Sequence, residues 1–184
     1  MRIIAGELRG RTLLSPKDRA IRPTADRARE ALFNMLAHGE DAFEGCRFLD
    51  LFAGTGAVGF EAVSRGARHV LAVDDDPAAV RLVQENARKL GVAGRYTALR
   101  RDATRLGRAD APFDVAFLDP PYGEPLAAPA LQALRGGGWL ADGALVILEL
   151  SAKERAETAH PGFAVERERR YGAGRFLFLR EETA

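Results

Sequence analysis

The run Asp119-Pro120-Pro121-Tyr122 packs a carboxylate, two rigid residues and an aromatic ring into four positions. It directly follows an apolar stretch, residues 114–119, that reads as a strand. These residue types suit one problem, an exocyclic amine on a nucleobase. Such an amine is a poor nucleophile because its lone pair is delocalised into the ring. Two hydrogen-bond acceptors make the nitrogen more pyramidal and aim the lone pair at an electrophile. Asp119 offers one acceptor and the Pro120 carbonyl a second. The prolines have fixed φ and no N–H, so the turn that holds those acceptors is stiff. Tyr122 presents a flat face on which an unstacked base can rest. The plainer alternative is a strand-ending turn, since Asp-Pro and Pro-Pro are frequent turn dipeptides.

A second run, residues 50–59, reads Asp-Leu-Phe-Ala-Gly-Thr-Gly-Ala-Val-Gly. Glycines let the chain leave a strand sharply and let a ligand approach the backbone. Acids flank the loop. Asp50 lies in the strand before it, and Asp74 ends the next strand 24 residues later. An acid at about that distance binds ribose hydroxyls in nucleotide-binding α/β folds. The glycines alone would also suit a tight βα turn; the flanking acids fit a class I methyltransferase that uses S-adenosylmethionine. In such an enzyme Asp50 would lie near the methionine end of the cofactor. Phe52, Ala53, Gly54 and Gly56 would pass beside its ribose and amino-acid part. Asp74 is the ribose acid because it ends the apolar strand, although Asp75 and Asp76 follow at once. Asp102, with Ala103 beside it, stands after the third strand as adenine ligand or helix cap. A dinucleotide oxidoreductase shares the glycine loop but gives residues 119–122 no task.

Positioning these groups requires strands that end at one edge. Strands are expected at residues 48–53, 69–74, 96–101, 114–119 and 144–150, with helices between them. Residues 77–91 form an amphipathic helix with Val80, Val83, Ala87 and Leu90 on one face and Gly91 at its end. Residues 163–171 and 175–180 flank a glycine-containing turn and read as a closing hairpin. This alternation predicts an α/β fold, a mainly parallel sheet with helices on both faces. Ahead of it, residues 1–16 suggest a small β-hairpin. Thr24 can then cap a helix bearing Ala28, Ala31, Leu32, Met35 and Leu36. We read residues 1–184 as one domain, with residues 1–44 a basic extension and residues 45–184 the catalytic core. Glu149 ends a strand and could face the crevice, without a role that the sequence assigns.

The 184 residues carry a formal net charge of only +1. Residues 1–30, however, hold eight Arg or Lys against four acids, which leaves the remainder mildly acidic. A basic end on an acidic body suggests a local anion-binding surface. The one cysteine, Cys46, reads as a small buried residue and fits a reducing compartment. His38, His69 and His160 have no ligand spacing, so no metal is expected. No apolar run approaches membrane-span length. Trp139 reads as packing, and Arg167, Arg169 and Arg170 alternate with acids as a solvated strand face. A cytoplasmic monomer is the expectation.

Four segments in this order resemble one family: residues 2–16 (RIIAGELRGRTLLSP), 22–36 (RPTADRAREALFNML), 49–67 (LDLFAGTGAVGFEAVSRGA) and 117–122 (FLDPPY). The chain is similar along its whole length to the RsmD family of bacterial 16S rRNA guanine-N2 methyltransferases. The glycine loop and DPPY are common to many amino-methyltransferases, and the front segment is what is specific. The resemblance implies a Rossmann-like, seven-stranded sheet and S-adenosylmethionine as donor. It also implies a guanine of the small ribosomal subunit, or of an assembly intermediate, as acceptor. By position, Asp50, Gly54, Gly56, Asp74 and Asp102 would serve the cofactor, Asp119 to Tyr122 catalysis, and Arg9, Arg11, Arg22 and Arg27 the rRNA phosphates. The triple acid at 74–76 departs from the single acid of many members. The alternatives are an adenine-N6 methyltransferase on another RNA or DNA, which the lack of a target-recognition domain disfavours, and a non-catalytic RNA-binding assembly factor.

Overall fold

The computed structural model describes residues 1–15, 23–37, 44–152, 160 and 162–182. Strands β1 (Arg47–Leu51), β2 (His69–Asp74), β3 (Tyr96–Arg100), β4 (Phe113–Leu118) and β5 (Leu140–Ser151) run parallel. Two further strands, β6 (Phe163–Tyr171) and β7 (Gly174–Glu181), form the hairpin, and β7 pairs antiparallel with β5. The resulting seven-stranded sheet has the order β3-β2-β1-β4-β5-β7-β6. From β1 the chain proceeds to β2 on one side, whereas β4 lies on the other. The gap between the ends of β1 and β4 is therefore the topological switch point, where open α/β sheets bind ligands.

Period-2 alternation sends successive side chains to opposite faces. Phe48, Val70, Phe117, Ile147 and Phe176 lie on one face. Helices α1 (Pro23–Ala37), α2 (Ala57–Ser64) and α3 (Pro77–Leu90) cover it with Leu32, Phe33, Phe60, Val63, Val83 and Leu90. Leu49, Leu51, Leu118, Leu148 and Leu177 face the other way, against Ala130, Leu131 and Leu134 of α4 (Ala127–Gly136). With both faces covered, β1 and β4 are almost continuously apolar.

Several boundaries differ from the sequence reading. β1 stops at Leu51, because Phe52 adopts a positive φ of 58° and turns the chain out of the sheet. β5 begins at Leu140, earlier than expected, with a register shift in its pairing to β4. Helix α1 begins at Pro23, so Thr24 lies in its first turn and is not its cap. Proline's fixed φ suits a first helical position. The front hairpin is closed by one antiparallel bridge, Arg2 to Thr12, and forms no named strands.

That front segment is bonded to the core by buried side chains. Glu61 of α2 is fully buried and accepts from the Ile4 and Ala5 amides at 2.9 and 3.0 Å. Ser64 Oγ accepts from the Leu8 amide at 2.9 Å. Asn86 of α3 bonds both the N–H and the C=O of Leu14. Gly6 is required here: its φ is +82°, and a Cβ would lie 1.8 Å from the Ser64 carbonyl oxygen.

Candidate active site

The glycine loop leaves β1 and turns back into α2. Asp50, on the Phe48 face of β1, is buried and accepts from the Gly59 amide through Oδ2 at 3.1 Å. Tyr96 of β3 stands behind the loop, fully buried, and donates its hydroxyl to the Gly56 carbonyl at 3.0 Å. A Cβ on Gly59 would meet that hydroxyl oxygen at 2.2 Å, and one on Gly56 at 2.7 Å. The loop's glycines are thus demanded by a tyrosine from another strand. Sequence reasoning missed Tyr96, since nothing local marks it among the residues of a weakly patterned strand. Burial pushes the Asp50 carboxyl well above the usual carboxylate range. The Gly59 amide opposes the shift, while Asp119 and Asp74 reinforce it. Asp50 thus feels the charges of both Asp119 and Asp74 across this loop.

The acids after β2 divide their tasks. Asp74 accepts from the Gly54 amide at 2.7 Å through Oδ2 and from the Asp76 amide at 2.9 Å through Oδ1. Asp76 caps α3 by accepting from the Ala78 amide, with Pro77 following. Asp75 is exposed. Asp102 accepts from both the amide and the hydroxyl of Thr104, and these bonds, the hydroxyl first, hold its carboxyl below its ordinary range. A cleft of about 350 Å³ brings together Phe52, Asp74, Asp75, Asp102, Ala103 and Pro121 from the expected set, with Arg101, Thr104 and Glu124 beside them. Ala53 and Gly54 lie at its edge through bonds to Val73 and Asp74.

Asp119 is the first residue beyond β4. Its amide donates to the Leu51 carbonyl at 3.4 Å, so the ends of β4 and β1 abut. By alternation it shares the Phe117 face with Asp50, and it is open to solvent. Protein nevertheless crowds it. That desolvation, followed by the charge of Glu149, raises its pKa. Glu149 occupies the equivalent place on β5, because Leu118 pairs with Leu148. It is half-buried and accepts from the Tyr171 hydroxyl. Burial raises its carboxyl pKa too, against the lowering effect of the Tyr171 and Tyr122 hydroxyls. Pro120 is buried, and Tyr122 is 55% exposed with its hydroxyl directed at Glu149.

The expected phosphate contacts divide. Arg9, Arg11 and Arg27 are exposed, and Arg22 lies outside the described residues. Arg29, counted with the basic front, is instead buried between Asp26, Glu61 and the Arg2 carbonyl. Its neighbouring acids draw it inward. The front hairpin reaches the glycine loop, where the Thr55 hydroxyl donates to Met1 Sδ. Trp139 is buried and donates to the Gly107 carbonyl, and Cys46 is buried with its thiol pushed up to about 12. No helix among the described residues is long and apolar enough to cross a membrane.

Comparison with known proteins matches residues 1–180 to a family described as conserved hypothetical protein 95. The chain is 32% identical over 183 residues to ribosomal RNA small subunit methyltransferase D of Escherichia coli K12, covering 100% of this chain and 91% of that one. The chain belongs to the RsmD family. Within the RsmD family, the Haemophilus influenzae enzyme of the same name is 35% identical over 156 residues, covering 81% of this chain and 78% of its own. The solved structure of Escherichia coli yhhF superposes with a TM-score of 0.84 at 33% identity, covering 99% of this chain and 98% of that one. A Thermus thermophilus protein superposes with a TM-score of 0.73 at 33% identity, covering 100% of this chain and 99% of that one. The fold of this RsmD-family chain is accordingly that of a class I methyltransferase.

Proposed function

We propose that this protein transfers a methyl group from S-adenosylmethionine to the N2 amine of a guanine in 16S rRNA. The observation that carries this reading is the contact between the Asp119 amide and the Leu51 carbonyl. It sets the proposed amine acceptor beside the strand end that opens the glycine loop, at the sheet's switch point. Relatives named as small-subunit rRNA methyltransferases supply the substrate class.

The residues present fit the cofactor. Asp50, Asp74 and Asp119 place three carboxyl groups around the loop, and a sulfonium cation would favour the ionised forms of Asp50 and Asp119 that burial disfavours. Asp74 has its oxygens on two backbone amides at the cleft and would add ribose hydroxyls to them. Asp75 flanks it, and Asp102 and Ala103 would border the adenine. Phe52, Ala53, Gly54 and Gly56 would line the path between. When bound, S-adenosylmethionine would supply an electrophilic sulfonium methyl: an amine nitrogen bonds to its carbon as the C–S bond breaks, and S-adenosylhomocysteine leaves with that electron pair.

The chain's own groups orient the acceptor. Ionised Asp119 accepts an N–H of the amine and turns its lone pair outward. The Pro120 carbonyl is the second acceptor, and Pro121 stiffens the turn. The exposed ring of Tyr122 stacks on the base. Once methylated, the amine is acidic and loses its proton without a strong base. Arg9, Arg11, Arg22 and Arg27 meet rRNA phosphates, and the enzyme acts on ribosomal subunits in the cytoplasm.

The test is labelled-methyl transfer to small subunits from a strain lacking the enzyme, followed by nucleoside analysis. N2-methylguanosine is the expected product. N6-methyladenosine would replace the acceptor, and no transfer would remove the reading. Asp119→Ala should abolish transfer while cofactor affinity stays within a few-fold. Full activity in that variant would refute its role.

A further inference from the structure

We propose that Glu149 is a base-reading residue: it accepts the ring N1–H of the target while Asp119 accepts the neighbouring amine. This deepens the proposed function and rests on it. Three observations and the general spacing of strands support it. In-register pairing of β4 with β5 sets Glu149 beside Asp119, at the same end and on the same face of adjacent strands. Adjacent strands lie about 4.8 Å apart, close to the spacing of two donors on one base edge with room for side chains to converge. The Glu149 carboxylate is held from behind by the Tyr171 hydroxyl, and Tyr171 is itself stacked on Phe176 at 4.3 Å. The hydroxyl of Tyr122, the proposed stacking ring, is also directed at it.

An ionised carboxylate offers about four acceptor sites and no donor. Two tyrosine hydroxyls occupy two of them on Glu149, which leaves acceptor capacity facing the crevice. Two adjacent carboxylates repel, and a ligand edge with two adjacent N–H donors relieves both at once. Guanine presents that edge, N1–H beside the N2 amine. Adenine and cytosine place an unprotonated ring nitrogen beside their amine, and its lone pair would face the Glu149 carboxylate. A desolvated site built for a donor rejects an analogue that lacks it far more strongly than apolar contacts can. Glu149 would thus choose the base, and Asp119 would prepare its nitrogen.

The experiment compares small-subunit RNA carrying guanine or 2-aminopurine at the mapped target nucleotide. 2-Aminopurine keeps the amine but has a bare N1. Wild-type enzyme should methylate the guanine template and strongly disfavour the other. Glu149→Gln places an amide that can donate to a bare N1. It should lower kcat/KM on guanine roughly 10- to 100-fold, the worth of one charge-assisted hydrogen bond. Its preference for guanine over 2-aminopurine should fall by at least about 10-fold. Cofactor affinity by calorimetry should stay within a few-fold, which reports an intact loop. If Glu149→Gln does not fold, Tyr171→Phe loosens the same carboxylate and should lower the preference in the same direction. An unchanged preference in the variant, or equal loss on both templates, overturns the role of Glu149 and leaves the proposed function standing. Absence of transfer to guanine by the wild-type enzyme overturns both.

Discussion

Glu61→Ala should cost this protein about 3–5 kcal/mol of stability, through an ion pair far from the reacting atoms. Glu61 is fully buried in α2. Its carboxylate accepts from two amides of the front segment and pairs with Arg65 at 2.8 Å and Arg29 at 3.5 Å. The Arg29 side chain is only 4% exposed. Removing the acid leaves two N–H groups without acceptors and a buried guanidinium with only Asp26 and the Arg2 carbonyl. Breaking a buried pair from one side costs roughly 3–5 kcal/mol, because the surviving charge stays desolvated. A whole domain commonly has only about 5–15 kcal/mol. With a urea slope of about 2–3 kcal/mol per molar, the unfolding midpoint should fall by roughly 1–2 M. The exposed pair of Glu7 with Arg95 provides the contrast: Glu7→Ala should cost less than about 1 kcal/mol. Because residues 1–15 carry Arg9 and Arg11, folded Glu61→Ala protein should also bind subunits more weakly, while cofactor affinity changes less. A Glu61→Ala midpoint shift no larger than that of Glu7→Ala would refute the account of how the front segment is held.

Asp74→Ala should weaken S-adenosylmethionine binding roughly 100-fold, through lost charge-assisted bonds and a loosened Gly54 amide, with little change in RNA affinity; calorimetry showing the reverse order would move the ribose ligand elsewhere. Reversing the charge at Arg9 and Arg11 should weaken RNA binding and flatten its salt dependence, and an unchanged slope would take both from the interface. Asp119 is the stronger, acceptor-only group when ionised, and its pKa is raised, first by desolvation and then by Glu149. The acid limb of kcat/KM should therefore lie above the ordinary carboxylate range, and Glu149→Gln should move it down; an acid limb at an ordinary carboxylate pKa would contradict this. The raised value also means that the folded state holds this proton more tightly than the unfolded chain. Its stabilising contribution is full below the unfolded carboxylate pKa and is lost as pH rises through the folded one. Asp119→Asn should thus melt higher than the wild-type apoprotein at neutral and alkaline pH, and a lower melting temperature would contradict the environment assigned to Asp119.

Much of the frame of the candidate site was legible because its signals are local. A glycine run out of an apolar strand, an acid ending the next strand and a rigid Asp-Pro-Pro turn each declare themselves within about ten residues. Local backbone preferences explain why. Glycine tolerates positive φ, proline stiffens a turn, and β2 ends at Asp74, the residue expected from the apolar run. Asp76 as a helix cap followed by Pro77 was equally within reach of short-range rules, and it left Asp74 free to hold the loop.

Other features came only from tertiary contact. Tyr96 stands 40 residues from the Gly56 carbonyl it holds, and its hydroxyl is what forbids a side chain at Gly59. Arg29 belongs to the basic front in sequence but is buried, because Glu61 arrives from another helix. Glu149 became a neighbour of Asp119 only through the register of β4 with β5. The sequence by itself determined which groups could bind a nucleoside-bearing cofactor and poise an amine, since those depend on residue type and short spacing. The tertiary structure decided which charges meet, since strand order and register set distances that sequence separation does not encode.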